Sequence, residues 1–538
     1  MELNSELQTA YSDEIAYIND FRHFYTERFI DAPIGENNPE IKKLVESIAL
    51  LLARNRVTGE KHIAQLYNRL FYQLYPYLVS PLPSMSLIKV NQQNLAESLV
   101  LTRDTAMILS TNDGEEAIFK TLFDQKIQPV KLDNIECFGG KVNQSTLKIT
   151  VSNLSEIPHC LDGMNLFLRV GDDLISTLKL QQLLSDSSIS VHAVFDGGKR
   201  VDCQYFVGRP KSCQLQSSGS FSDINPVALA RYYFHMPLQA SYFNIDLIEA
   251  PQRWQTCTFE IVLDCSWPES LRLTKDMFQL NVIAVENRLP DEAKPIECDG
   301  IQSSYPIMPP SDKPDMELSQ IEGVYLIEDN QRIALQTGVI KNQPGNYEIH
   351  LNSVNGRRLP ALSLNMPQSF EEPVQIVVQA LWHQPAFKQQ LWKDISVRFY
   401  DMDCPELSLQ LLPNIQQKIV PYQDPVELTP EQYLSLSALK NKAKLEVGDI
   451  ILMLDSLSSV WAGDYKVIRS LINTIHARES TFILDSGRAC KGLEYVLSLH
   501  HVDHYLEPLV IDFNRRLAHL LTHWISAIPI KIKCDYQM

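Results

Sequence analysis

The sequence has no apolar run long enough to cross a bilayer, which takes roughly 18 to 20 residues as a helix. SIALLLA (47–53) is too short, and HLLTHWISAIPI (519–530) is broken by polar residues and a proline. The first residues, MELNSELQTAYSDEIAYI, carry acids early and lack the apolar core of a secretion signal. Basic charge is not in excess: 48 Lys and Arg stand against 65 Asp and Glu, a formal net charge of -17. That balance excludes a general nucleic-acid binder, which needs a basic surface for phosphates. Ten cysteines are scattered without a CxxC pair. They fit reduced thiols better than a disulfide framework or a zinc knuckle. Internal repeats and low-complexity tracts are also missing.

Chemistry-bearing motifs are equally scarce. CFGGKVNQ (137–144) and FDGGKR (195–200) have paired glycines but not the GxxxxGK[ST] spacing that cradles phosphate, so both are expected to be turns. No GxGxxG, HExxH or GxSxG occurs. Asn143 opens an N-x-[ST] triplet without a secretion signal. His500, His501, Asp503 and His504 fall together in LHHVDHYLE, and His519 and His523 are four apart, the same-face spacing of a helix. Such groups bind a transition metal when converged; surface or interface histidines are the simpler reading. Asp196 and Asp202, with the acids of GDD (171–173), have no spacing that defines an acid and a base. GKRVDCQYFVGRPKS (198–212) mixes Lys199, Arg200, Arg209 and Lys211 with Tyr205 and Phe206, and reads as an ordinary hairpin ahead of a single-strand binder.

What the chain does have is patterned helix and strand. With 538 residues it is too long for one core. Ile15, Ile18, Phe21 and Tyr25 recur at spacings of three and four, which predicts a helix over the first 30 residues. Asn38 and Pro39 form a start signal for a second helix with a stripe of Ile41, Leu44, Val45, Ile48 and Leu52, which Gly59 is expected to weaken or end. A third then carries Ile63, Leu66, Leu70, Phe71 and Leu74 on one face with Tyr67 beside it, and stops before Pro76. Beyond PLPSM (81–85) period-two patterns dominate, as in TLKITVSNL (146–154), CTFEIVLDC (257–265) and FQLNVIAVEN (278–287). Helices are expected at 172–186, 225–237, 429–441 and 513–525. The whole reads as α+β and multidomain: an N-terminal helical segment followed by largely antiparallel β-sheet domains. Composition divides it into a helical trunk (1–90), an α+β middle (91–310), a β-rich part (311–425) and a C-terminal α+β part (426–538), with PIMPPSDKPDMELS (306–319) as a boundary and 411–433 as a possible hinge.

The order of several short passages resembles the TssF (VasA-like) family of type VI secretion baseplate subunits. The carriers are Tyr17, Pro39, LYPYL (74–78), PLPSM (81–85), LFLRVGDD (166–173), NPVALARYYFHMP (225–237) and YFNIDL (242–247). LNVIAVENRLP (280–290), PIECDG (295–300) and SSYPIMP (303–309) follow in order. Val282 and Ile283 stand where the family has Cys and Thr, and Asn287, Arg288 and Leu289 where it has NLF. The resemblance runs over residues 15–310 and fades beyond. It implies a structural wedge protein of a contractile-tail baseplate, not an enzyme, with no cofactor, no catalytic residue and no metal site. The implied partners are a second TssF copy, TssG, TssK and the VgrG hub, with sheath and inner-tube proteins as further neighbours. The implied place is the cytoplasm, docked at the inner face of the membrane through the secretion complex, with no direct membrane insertion and no nucleic acid. On that reading Leu66, Tyr67, Leu70, Phe71, Leu74, Tyr75 and Tyr77 are expected to face a partner chain. A wedge protein of a related phage-like injection system and a metal-dependent enzyme remain as alternatives.

Overall fold

The computed structural model describes residues 5–28, 39–93, 95–140, 144–158, 160–210, 225–329, 331–338, 345–354, 357–365, 373–384, 395–402, 404–412, 419–424, 426, 428–439, 442, 444–457, 463–483, 489–524 and 529–536. Asn38, Asn143 and Lys211 lie outside them, as do the side chains of Ile41 and His523. Helix α1 (Ser5–Arg28) lies against α2 (Pro39–Leu74). Gly59 does not end α2, which runs through it for 36 residues, or about 54 Å. An interior glycine costs a helix only about 1 kcal/mol, which good helix formers on both sides offset. Pro76 does end it. Tyr75, the residue before the proline, leaves helical geometry at φ -136°, and Pro76 opens the single turn α3 (Pro76–Val79).

Strand Met85–Gln92 follows at once and gathers distant parts of the chain. It pairs antiparallel with Val282–Glu286, Leu407–Leu411 and Ile419–Val420 within a seven-stranded sheet. An eight-stranded antiparallel sheet lies beside it, with Phe278–Gln279 at one end and Val130–Gly139 at the other. Its strands alternate as the sequence predicts: Leu147, Ile149 and Val151 all face its core. Helix α4 (Leu174–Asp186) covers that core, capped by Asp173, whose carboxylate accepts from the Ile175 and Ser176 amides. Helix α5 (Pro226–His235) starts on Asn225 in the same manner. FQLNVIAVEN is two strands rather than one, because Asn281 takes the left-handed conformation at φ 55° and turns the chain from the eight-stranded into the seven-stranded sheet.

The divisions at 90, 310 and 425 do not separate the sheets. Leu289–Glu292 and Ile296–Cys298, before the proline-rich stretch, pair with Val374–His383, which also pairs with Glu317–Glu328. One core around Trp382 serves all four strands. Leu82 bridges Gln423 across what the sequence marks as a hinge. Prolines mark breaks in local geometry, and partners far away in sequence then close the sheet over them.

The C-terminal part holds α6 (Pro430–Leu439), α7 (Val447–Leu457), α8 (Gly463–Leu471), α9 (Glu507–Trp524) and a three-stranded sheet. Thr429 and Gln432 cap α6 reciprocally. These elements form the largest core together with Phe71, Tyr75, Ile175, Val227 and Phe234. The end of α2 is therefore embedded in the C-terminal part of the chain.

Candidate assembly interface

The two long helices meet through small residues. Ala10 on α1 and Ala49 and Ala53 on α2 are the buried side chains among the described residues of α1 and of α2 before Phe71. Ala49 and Ala53, both at 0 % exposure, are one turn apart, and alanines let helix backbones approach closely. Arg56 reaches Asp13 and Glu14 of α1 at 3.7 Å and Glu60 at 3.1 Å, an exposed ion-pair cluster that adds little stability.

Many of the large apolar residues face the other way. On α2, Leu44, Ile48, Leu51 and Leu52 follow at i, i+4, i+7 and i+8, and Ile63, Leu66 and Leu74 continue the stripe. All are exposed, Leu44 and Leu51 at 60 %. On α1, Tyr17, Phe21 and Phe24 make a matching exposed line. Of the stripes read from the sequence, Leu44, Ile48 and Leu52 on α2 and Phe21 on α1 are exposed, whereas Val45 on α2 and Ile15, Ile18 and Tyr25 on α1 are half-buried. Periodicity ranks residues by size, and the alanines that make the contact are the ones it overlooks.

The seven residues expected at a partner interface divide into three sets. Phe71 and Tyr75 are buried in this chain's own core, a correction to that expectation. Phe71 packs 4.4 Å from the ring of Tyr433 and 4.8 Å from that of Tyr75. Tyr67 and Tyr77 are half-buried against the same core. Burial pushes the Tyr77 phenol up to about 12. Leu70 is half-buried, and Leu66 and Leu74 are exposed. Helix geometry separates two of them: Phe71 falls 18 residues, five full turns, after the buried Ala53, and Leu66 the same distance after the exposed Ile48.

A buried arginine fastens the base of this stalk. Arg231 of α5 donates to the Leu457 carbonyl at 2.8 Å and to the carbonyl of Tyr77. Burial pulls its pKa down to about 10, still a cation at neutral pH. Arg69 pairs with Glu348 of strand Asn346–Val354. Arg231 lies within NPVALARYYFHMP (225–237), but nothing in that passage tells which carbonyls it reaches.

The other positions singled out in the sequence have structural employment. His500, His501, Asp503 and His504 are exposed around the turn before α9, with His504 3.3 Å from Glu507. Among the described residues no three His, Cys, Asp or Glu gather as metal ligands. Asp196 accepts from the Gln255 and Thr256 amides, and Asp202 pairs with His192 at 2.7 Å. Tyr205 packs on Phe243 within the eight-stranded sheet, and Arg209 is tied to Gln239 at 2.6 Å. No described helix is long and apolar enough to cross a membrane.

A sheet-rich body carrying a helical hairpin with an outward apolar stripe defines a multidomain protein of the α+β class. The family described as "Type VI secretion system, TssF" matches residues 4–337, and the chain belongs to it. The fold is similar to that of a chain in a cryo-electron microscopy structure of the type VI secretion system TssK-TssF-TssG baseplate subcomplex. The TM-score is 0.70 at 15 % identity, over 92 % of this chain and 96 % of that one. A chain of the baseplate complex from the type VI secretion system is similar at a TM-score of 0.56 and 13 % identity, over 99 % and 97 %. No curated protein matches the sequence. The fold likeness thus continues through the C-terminal part, where the family match stops.

Proposed function

We propose that this chain is a structural wedge component of a type VI secretion baseplate, joining TssG, TssK and a second copy of itself around the VgrG spike on the cytoplasmic side of the membrane. Family membership and the shared fold support the class of role. The observation that carries the contact is the apolar stripe, from Leu44 to Leu74 on α2 and Tyr17 to Phe24 on α1. An exposed line of large apolar side chains marks an interaction surface. Covering each of these half-exposed side chains contributes roughly 1 kcal/mol, so ten of them suffice for a stable helical seam before ordering costs are met. Leu66, Leu70 and Leu74 belong to this face; Phe71 and Tyr75 hold its root.

Co-expression with TssG and TssK from the same genome, followed by native mass spectrometry, tests the reading. A complex containing all three chains is expected. A chain that purifies alone, folded and monomeric, in the presence of both partners overturns it.

A further inference from the structure

A cleft of 620 Å³ opens where the two large sheets meet. Both end strands of the eight-stranded sheet line it, through Val130, Lys131 and Leu132 on one side and Phe278, Gln279 and Leu280 on the other. Each end strand has a single ladder partner, which leaves a seam between them at the cleft; Val130 is already engaged there, its amide donating to the Gln128 carbonyl and its carbonyl accepting from Gln92. Strand Met85–Gln92 forms a wall. From it Lys89 donates to the carbonyl of Leu280, next to the left-handed Asn281, and Gln92 donates to the carbonyl of Val130 at 2.6 Å. The Gln92 Oε1 is buried without a hydrogen-bond donor among the described residues.

Three lysines line this cleft, Lys89, Lys131 and Lys275, and among the described residues none forms an ion pair. The cleft's two carboxylates, Asp172 and Asp276, act on the buried Arg169. Burial pulls the Lys89 ammonium down to about 8 with no carboxylate to hold it up. A net charge of -17 over the chain makes an unpaired basic concavity stand apart from its surroundings.

We propose that this cleft receives an extended, carboxylate-bearing segment of a partner protein, which lies along the open seam and pairs with Lys89, Lys131 and Lys275. An extended backbone supplies the donors and acceptors that an end strand lacks, and a segment added to a sheet edge is a recurrent mode of peptide recognition. The inference takes from the assembly reading only that the occupant is a protein.

Binding of an acetylated, amidated hexaglutamate peptide to the full chain, followed by fluorescence anisotropy in 50 mM salt, tests it. The net negative charge disfavours such a peptide over the body as a whole, and the charge-reversed variants locate the binding at the cleft. Lys131→Glu and Lys275→Glu, both at exposed positions, are expected to weaken binding at least tenfold with the thermal midpoint unchanged. Lys89→Met is expected to weaken it as well. Citrate and inorganic phosphate are expected to compete poorly, because they cannot follow the seam. Absent binding, binding unchanged in both charge-reversed variants, or displacement by citrate as effective as by unlabelled peptide each overturns the proposal. Retained TssG co-purification alongside such a result overturns the cleft alone.

Discussion

The ring of Tyr75 lies parallel to the indole of Trp524, 6.3 Å between centroids and 6° from coplanar. One is the last residue before the helix-ending proline; the other closes α9, the final helix. Their contact roots the N-terminal stalk in the C-terminal core. An outward stripe can then press on another chain without its base giving way.

Phe71 tests that root. Phe71→Ala removes a buried ring from between Tyr75 and Tyr433, a change that costs about 3–5 kcal/mol in a well-packed core. The urea midpoint followed by intrinsic tryptophan fluorescence is expected to fall clearly. An unmoved midpoint would mean that the end of α2 is not part of this core.

Arg231 makes a second prediction. Arg231→Met keeps the bulk of the side chain and leaves the Tyr77 and Leu457 carbonyls without their donor. A buried group so orphaned costs about 1–3 kcal/mol. Differential scanning calorimetry is expected to show a lower midpoint for the variant, and an equal midpoint contradicts the role given to this arginine.

His235 sets an acid limit on stability. Its Nε2 lies 2.8 Å from the Pro83 carbonyl, and its Nδ1 is buried without a partner among the described residues. Burial holds its pKa near 4, below the ordinary 6.5. The folded state therefore favours the neutral ring and the unfolded state takes up the proton first. This contribution is complete above pH 6.5 and is lost as pH falls toward 4. Between pH 7 and pH 5 the loss comes to about 2 kcal/mol. Urea unfolding of the wild type and His235→Gln at both values checks it. The wild type should lose more than the variant; equal losses contradict the assignment.

Local signals carried much of the fold. Pro76, Asn225 and Thr429 each mark a helix end or start where the chain has one, because a missing amide or a capping oxygen acts within a few residues. Sheet membership was not legible in this way. Leu289–Glu292 and Glu317–Glu328 share a strand at Val374–His383, and no local pattern names a partner that distant. The exposed stripe was half legible. The size of Leu44, Ile48 and Leu66 reveals a stripe, but only the placement of Ala49, Ala53 and Phe71 tells which side the chain keeps for itself. The lysine-lined cleft draws on strands near 89, 131 and 278, which no sequence window contains together.

The apolar stripe is the centre of the account, and Leu44→Glu with Leu51→Glu tests it most directly. Both side chains are 60 % exposed, so the doubly substituted chain should keep its thermal midpoint within about 2 °C of the wild type, as surface changes do. Native mass spectrometry of this variant co-expressed with TssG is expected to show the free chain, with at least a tenfold drop in complex relative to wild type. An undiminished complex from a folded variant would contradict the claim that another chain covers this face.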